Sequence, residues 1–320
     1  MLSYLVERVF QSVLVLLVIT LVTYVIFFAG NSQGLAARFA GRDASPQEIR
    51  NVAIRLGLLN GFWSQYWHYL VGLLHGSFGY DFQNATPIRS EIARAIPVTA
   101  SLVLGATVIW LAIGIPIGIM SATHPRTIRD RLGTVFALSF LSMPTFVLGV
   151  LFLLVFYYYL TQAGLSWFPA AGYVPLTQDP AQWMLHLILP WFTLALVQAA
   201  VYTRLIRGSL LDMLGEDFIR TARAKGLRRR TVVYKHGVRA ALTPVVTQLG
   251  IDIGTLLAGA FVTEHVFGLT GLGQLGLNAI FTGDLPVVAA VVVLAATFIV
   301  VMNTVVDVVY AWLDPRVRLA

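Results

Sequence analysis

Six long apolar runs constrain this chain more than any other feature of its sequence. They cover residues 9–29, 98–122, 135–160, 185–203, 245–264 and 287–312. An α-helix needs about 20 residues to cross about 30 Å of hydrocarbon, and the runs have that length. Lipid offers no hydrogen bonds to the backbone, so these runs predict helices. We therefore expect an all-α integral membrane protein with six transmembrane helices.

The composition agrees with this class. The 320 residues are 58% hydrophobic and only 12% charged, against about 25% charged in a typical soluble domain. The first run is longer than the apolar core of a signal peptide and has no small-x-small cleavage site directly after it, so we interpret it as a retained span. There is no cysteine, which excludes disulfides, thiolate metal sites and thiol catalysis.

The positive charges predict the orientation. Of the 22 Lys and Arg, ten lie from Arg204 to Arg239, while the loops 161–184 and 266–286 contain none. One base precedes the first run, three lie between the second and third, and two end the chain. The positive-inside rule therefore places both termini and the charged loop in the cytoplasm. A net charge of +7 distributed in this way indicates membrane orientation and not nucleic-acid binding.

These features divide the chain into four parts. They are an N-terminal lead and first span (1–29), an extracytoplasmic segment (30–97), a five-helix core (98–312) that includes the charged loop 204–243, and a cytoplasmic tail (313–320).

Aromatic residues are concentrated in the extracytoplasmic segment between Phe62 and Tyr69, which is typical of a helix in the headgroup layer. His68 and His75 have no carboxylate neighbour, so they do not indicate a metal site.

The most strongly charged stretch, residues 216–226, reads as a short helix in water. Its acids come first and its bases later, which matches the helix macrodipole, and Gly226 provides a helix stop. The acids are Glu216 and Asp217, with Asp212 just before the stretch, and the bases are Arg220, Arg223 and Lys225. Phe218, Thr221, Ala222 and Lys225 share one face that is small in its middle, as expected of a helix that fits a groove on another protein.

Residues 217–226, 235–239 and 242–244 resemble the EAA loop of ATP-binding-cassette (ABC) importer permeases, in the form carried by the dipeptide and oligopeptide permease family. The likeness extends to residues 56–58, 65–66, 69–70, 73–79, 165–172, 264–267, 271–273, 284–288 and 313–316. Two positions depart from the family pattern. Ser77 stands where the family commonly has Asp, and Thr270 stands where it often has Pro.

The resemblance implies a type I importer permease whose cytoplasmic coupling helices fit a cleft on the ATPase. Ala222 and Gly226 occupy the family's Ala and Gly positions. The implied ATPase-coupling residues are Glu216, Asp217, Arg220, Thr221, Ala222, Arg223, Lys225 and Gly226. The implied partners are a second homologous permease subunit, two cytoplasmic ATP-binding subunits and an extracytoplasmic substrate-binding lipoprotein, with a peptide as substrate and the bacterial cytoplasmic membrane as location.

We expect no catalysis from this chain. Its two lysines, Lys225 and Lys235, do not lie in a Gly-x-x-x-x-Gly-Lys-Ser/Thr loop, so ATP and Mg are expected on the partner subunits. No set of residues typical of hydrolases is present, and the sequence indicates no bound metal or cofactor.

The fifth run carries a polar stripe. Gln248, Asp252, Thr255, Gly259 and Thr263 recur at helical spacing, and a carboxylate facing lipid would be costly. With Glu264, they are our candidates for a translocation path or gate; the alternative for Asp252 is a hydrogen bond between helices.

Our candidates for docking of the binding protein are Ser77, Phe78 and Asp284. Gly250 and Gly254 lie opposite the stripe and, like Gly114 and Gly118 in the second run, favour close helix packing.

Two alternatives to peptide import remain open from the sequence. The same machinery could carry nickel, glutathione or another small solute, because the binding protein selects the cargo. An ion-coupled carrier could use Asp252, Glu264 and Asp307 as proton sites, although such carriers often contain inverted repeats and this chain shows no clear repeat.

Overall fold

The computed structural model describes residues 2–29, 34, 36–37, 40–41, 44–55, 59–83 and 86–313. The family-like residues 56–58 and most of the predicted tail, 314–320, lie outside the described residues.

Helices account for nearly all of the described chain. In order they are α1 (Leu2–Tyr24, continued by the π-helical turn Val25–Ala29), α2 (Pro46–Arg55), α3 (Phe62–Leu74), α4 (Ile88–Thr123), α5 (Ile128–Leu141), α6 (Thr145–Gln162), α7 (Pro180–Gly215), α8 (Asp217–Ala224), α9 (Arg229–Ala241), α10 (Thr243–Gly259), α11 (Phe261–Val266), α12 (Leu272–Thr282) and α13 (Leu285–Leu313).

The predicted set of spans is confirmed, with corrected boundaries. Among the described residues, α1, α4, α6, α7 and α13 are long and apolar enough to cross a membrane, and α9 with α10 forms a sixth candidate that bends by 43°. The third run was predicted as continuous, but it breaks between α5 and α6, at Ser142–Pro144. Proline lacks the backbone N–H that a helix interior requires. The second span begins earlier than predicted, because α4 already starts at Ile88 and runs through Pro97.

The centre of the fold is the pairing of α4 with α7. A Cβ on Gly114 would lie 2.9 Å from the carbonyl oxygen of Ala199, and one on Gly118 would lie 2.9 Å from Cβ of Ile206. Such distances leave room for hydrogen only, which confirms the predicted close approach at these glycines. Trp110 of α4 and Tyr202 of α7 are fully buried.

A second close pair joins α10 to α13. A Cβ on Gly254 would lie 3.2 Å from Cα of Ile299, and one on Gly250 would collide with Val306. The packing predicted for these two glycines is therefore confirmed. On its other side α13 contacts α1, where Arg8 forms a 3.3 Å ion pair with Asp307.

The predicted aromatic helix forms as α3 and packs on the end of α1. Tyr24 is buried and its ring lies 5.5–5.6 Å from the rings of Phe62, Tyr66 and Tyr69. Trp63 and Trp67 remain 70% and 63% exposed. An amphipathic, tryptophan-rich surface of this kind suits the membrane–water boundary.

Candidate functional site

The charged stretch folds as a short helix directly after α7. Glu216 has extended backbone (ψ 154°) and separates α7 from α8. Asp217 lies in the first turn of α8, where its carboxylate pairs with Arg220 at 3.2 Å, and Arg223 lies in the last turn. This order of charges is the one the macrodipole favours, as the sequence predicts.

Gly226 ends this helix. Its φ is +74°, a left-handed conformation that glycine adopts without steric cost. The N–H of Gly226 donates to the carbonyl of Arg223 at 2.9 Å and that of Leu227 to Ala222 at 3.4 Å, which is the Schellman arrangement. A Cβ added at Gly226 would meet no atom within 4 Å. A substitution here therefore strains the backbone without creating a collision.

The faces of α8 differ in one respect from the prediction. Phe218 is 43% exposed, and Thr221 and Lys225 are exposed on the same side. Ala222, predicted in the middle of that outward face, is buried with Ile219. The two residues are three apart and share one face, so the burial that apolar Ile219 requires also turns Ala222 inward.

The buried face of α8 packs on the two neighbouring helices. Ile219 and Ala222 form a small apolar cluster with Val232 of α9 and with Leu214 near the end of α7. The short helix α8 therefore contacts both of the helices that flank it in sequence, α7 and α9.

Asp252 on α10 links α10 to α7. Its carboxylate accepts a hydrogen bond from the Tyr202 hydroxyl at 2.8 Å and one from Nε2 of Gln248 at 2.9 Å. The structure thus shows the interhelical hydrogen bond that the sequence left open. Thr255 is exposed one turn further on, and its hydroxyl donates to the carbonyl of Ile251 in its own helix. A path lined by Gln248, Asp252 and Thr255 stays a prediction.

The predicted stripe does not continue beyond Gly259. α10 ends at this residue, and a Cβ there would lie 3.2 Å from Cα of Gly273. Thr263 and Glu264 belong to α11, a separate helix, and both are buried. The spacing that placed Thr263 on the stripe assumed an unbroken helix, which the structure does not show. Neither Thr263 nor Glu264 is exposed in this conformation, and their role in a path or gate stays a prediction.

Glu264 instead caps a helix inside the protein. It is fully buried; its carboxylate accepts from the Thr99 hydroxyl at 2.6 Å and from the backbone N–H of Gln274 at 2.9 Å, with a further bond from the N–H of Gly273. Gly271, at the N-cap position of α12, has no side chain that could accept hydrogen bonds from these backbone N–H groups. Glu264 therefore joins α4, α11 and α12, and a gate role would require it to leave this site.

Asp284 lies in a second buried carboxyl site, at the end of the bundle away from α8. It accepts from the N–H of Phe82 at 2.7 Å and of Val287 at 3.3 Å, and it shares a hydrogen bond with buried Asp81. Asp284 is only 3% exposed in this conformation, and its role in docking stays a prediction. Ser77 is exposed and Phe78 is half-buried; their docking role stays a prediction.

The Asp81–Asp284 pair predicts a pH dependence of stability. Burial, together with the hydrogen bond from Asp81, raises the pKa of Asp284 to about 6, whereas an unfolded Asp titrates near about 4. Between these values the folded state holds more protons than the unfolded state, so stability falls as the pH rises. We expect Asp284→Asn to flatten this change, measured as the difference between thermal unfolding midpoints at about pH 4.5 and about pH 7.5. An unchanged difference would contradict the assignment.

Sequence reasoning missed an ion pair at the α8 end of the bundle, in which the acid is buried and the arginine is half-buried. Asp130 on α5 accepts from Nε and Nη2 of Arg207 on α7 at 2.7 and 3.0 Å, and from the Ser121 hydroxyl on α4 at 2.8 Å. The hydrogen bonds from Arg207 are the main reason that the pKa of Asp130 lies well below its usual range. The sequence feature that could have indicated this ion pair is Asp130, a single acid among Arg126, Arg129 and Arg131.

Comparison with known proteins agrees with this architecture. Residues 114–319 match the family described as binding-protein-dependent transport system inner membrane component, and residues 1–103 match the N-terminal region of such components. The chain is 38% identical to the glutathione transport system permease protein GsiC of Pectobacterium atrosepticum and 34% identical to the dipeptide transport system permease protein DppB of Escherichia coli, each over 99% of both chains.

A solved structure shares the fold. The inward-facing MetNI methionine ABC transporter aligns with a TM-score of 0.53 and 20% identity, over 70% of this chain and 97% of that one. The helices, the exposed α8 and the matches over both halves of the sequence lead to one conclusion: this chain belongs to the binding-protein-dependent transport system inner membrane component family and is a permease subunit of an ABC importer.

Proposed function

We propose that this permease forms half of an import path for di- and oligopeptides. The proposal is supported by relatives named for dipeptide and glutathione transport. Glutathione is itself a small peptide, so it is the alternative cargo that fits the same machinery. In this proposal a binding protein outside the cell selects the cargo and delivers it, and Ser77 and Phe78 lie on the side that receives it.

The proposed assembly contains a second, related permease and two ATPase subunits that bind ATP and Mg. The end of the bundle that carries α8 faces the cytoplasm, as do both termini. This orientation is supported by the ten bases between Arg204 and Arg239 and by the absence of Lys and Arg from residues 161–184 and 266–286.

The proposal rests on the observation that one face of α8 is exposed and the other is buried. Phe218, Thr221 and Lys225 face outward, while Ile219 and Ala222 pack on the chain's own helices. An ATPase can change the permease only through contacts that differ between its own states. In our proposal those contacts are made by the outward face, and the buried face passes the movement to α7 and α9.

Gly226→Leu tests this coupling. A residue with a side chain at φ +74° costs about 1–2 kcal/mol and loosens the end of α8. The bundle is unaffected, because a Cβ there meets no neighbour. We expect reconstituted complexes to lose uptake, and ATP hydrolysis to stop responding to the loaded binding protein, with little change in the thermal unfolding midpoint.

The matched control is Gly164→Leu. Gly164 has φ +85° and also no neighbour within 4 Å, but it lies in the loop after α6, away from α8. This variant carries the same backbone strain and should transport normally. Normal uptake by Gly226→Leu would refute the proposal, and uptake that survives ATP depletion but collapses with the proton gradient would favour an ion-coupled carrier.

A further inference from the structure

A cavity of about 340 Å³ lies between α5 and α7. Gly133 and Leu138 are among the residues that line it from α5, and Arg204, Arg207 and Gly208 are among those that line it from α7. Its volume is within the range of small-molecule sites. Gly208 contributes no side chain, and a Cβ there would meet no atom within 4 Å. The cavity is therefore a gap that the sequence leaves open between two packed helices.

The cavity carries one unpaired positive charge. Arg207 is engaged by Asp130 through two hydrogen bonds. Arg204 is exposed and has no hydrogen-bond or ion-pair partner in the described part of the chain. No acidic residue is found among the described residues that line the cavity. An anion is the ligand that this charge favours.

The cavity lies where the apolar part of α7 ends. The apolar run 185–203 is about as long as the hydrocarbon is thick, so Arg204, the next residue, lies at the level of the headgroups. On α5, Leu132, Val135 and Leu138 are 53–61% exposed and form an apolar strip at helical spacing. The cavity thus has a cation at the polar boundary and an apolar wall beside it.

We propose that this cavity binds an anionic phospholipid, with its phosphate on Arg204 and an acyl chain along Leu138. Basic sites between transmembrane helices bind such headgroups. A helix of a partner protein, about 10–12 Å across, is too wide to enter a gap of this volume. The bound lipid would lie beside the Arg207–Asp130 pair. The inference needs neither the proposed cargo nor the proposed role of α8.

The test is lipid retention by the purified permease, measured by native mass spectrometry after exchange into nanodiscs of phosphatidylglycerol or phosphatidylcholine. One cation near the headgroups contributes about 1 kcal/mol, so we expect about a fivefold preference for phosphatidylglycerol that Arg204→Gln abolishes. Gly208→Leu fills the cavity and should abolish retention of either lipid. Arg239→Gln is the matched control, because Arg239 is exposed and lies outside the cavity, and it should behave as the unmodified chain.

Three results would overturn the proposal. The first is a preference for phosphatidylglycerol that is equal in Arg204→Gln and in the unmodified chain. The second is full displacement of the anionic lipid by millimolar inorganic phosphate, which would indicate a site for a soluble anion. The third is efficient crosslinking of Gly208→Cys to the second permease in the assembled complex, which would indicate a protein interface.

Discussion

Glu264→Ala is expected to prevent the permease from accumulating as a folded membrane protein. The substitution removes the only acceptor shown for the buried Thr99 hydroxyl and for the part-buried N–H of Gln274. It also leaves a cavity at the junction of α4, α11 and α12. Each buried donor left without a partner costs about 1–3 kcal/mol. The expected result is loss of the monodisperse peak in size-exclusion chromatography of detergent-solubilised membranes.

Glu264→Gln distinguishes the effect of losing the helix cap from the effect of creating a cavity. Glutamine fills the same volume and keeps one acceptor oxygen, but its NH₂ group would face a backbone donor at the start of α12. We therefore expect this variant to fold with a lowered unfolding midpoint. If Glu264→Ala were as stable as the unmodified chain, the capping role would be wrong and a mobile gate residue would again be the better interpretation.

Gly118→Leu is expected to separate α4 from α7. A Cβ at this position would already lie 2.9 Å from both the Thr203 carbonyl oxygen and Cβ of Ile206. Overpacking a core costs about 1–3 kcal/mol and sometimes more. Here a backbone atom on a rigid helix is in the way, so the cost should be at the upper end. We expect loss of uptake together with a large fall in the unfolding midpoint.

Gly208→Leu is the matched control for this prediction. It makes the same change on α7, one of the two helices, at a site that faces the cavity beside α5 and has no neighbouring atom within 4 Å. Leucine is also the better helix former. The control should keep its unfolding midpoint. Equal stability of the two variants would show that α4 and α7 do not approach closely in the membrane.

Regular features of the fold could be predicted from the sequence, because the thickness of the bilayer and the helical repeat fix them. The six spans, the close contacts at Gly114, Gly118, Gly250 and Gly254, and the stop at Gly226 depend on local residues alone. The same local reasoning gave the order of charges along α8.

The features that were missed depend on contacts between distant segments. Helical spacing cannot show that α10 ends at Gly259, because the backbone of Gly273 approaches from another helix. Asp284 and Glu264 were candidates for docking and for a gate, yet in the structure each accepts a hydrogen bond from a backbone N–H of another element. Ala222 faces inward because Ile219, on the same face of α8, packs on Val232, which is thirteen residues after Ile219 and on a different helix.

The most direct test of the account is labelling of single cysteines on the two faces of α8. The chain has no native cysteine, so Thr221→Cys and Ala222→Cys each carry one unambiguous reporter. In inverted membrane vesicles, a membrane-impermeant maleimide should label Thr221→Cys in the absence of the ATPase subunits and fail to label it in their presence. Ala222→Cys should stay unlabelled in both conditions. Labelling of Thr221→Cys from the opposite side of the membrane, or labelling that the ATPase does not change, would contradict the account.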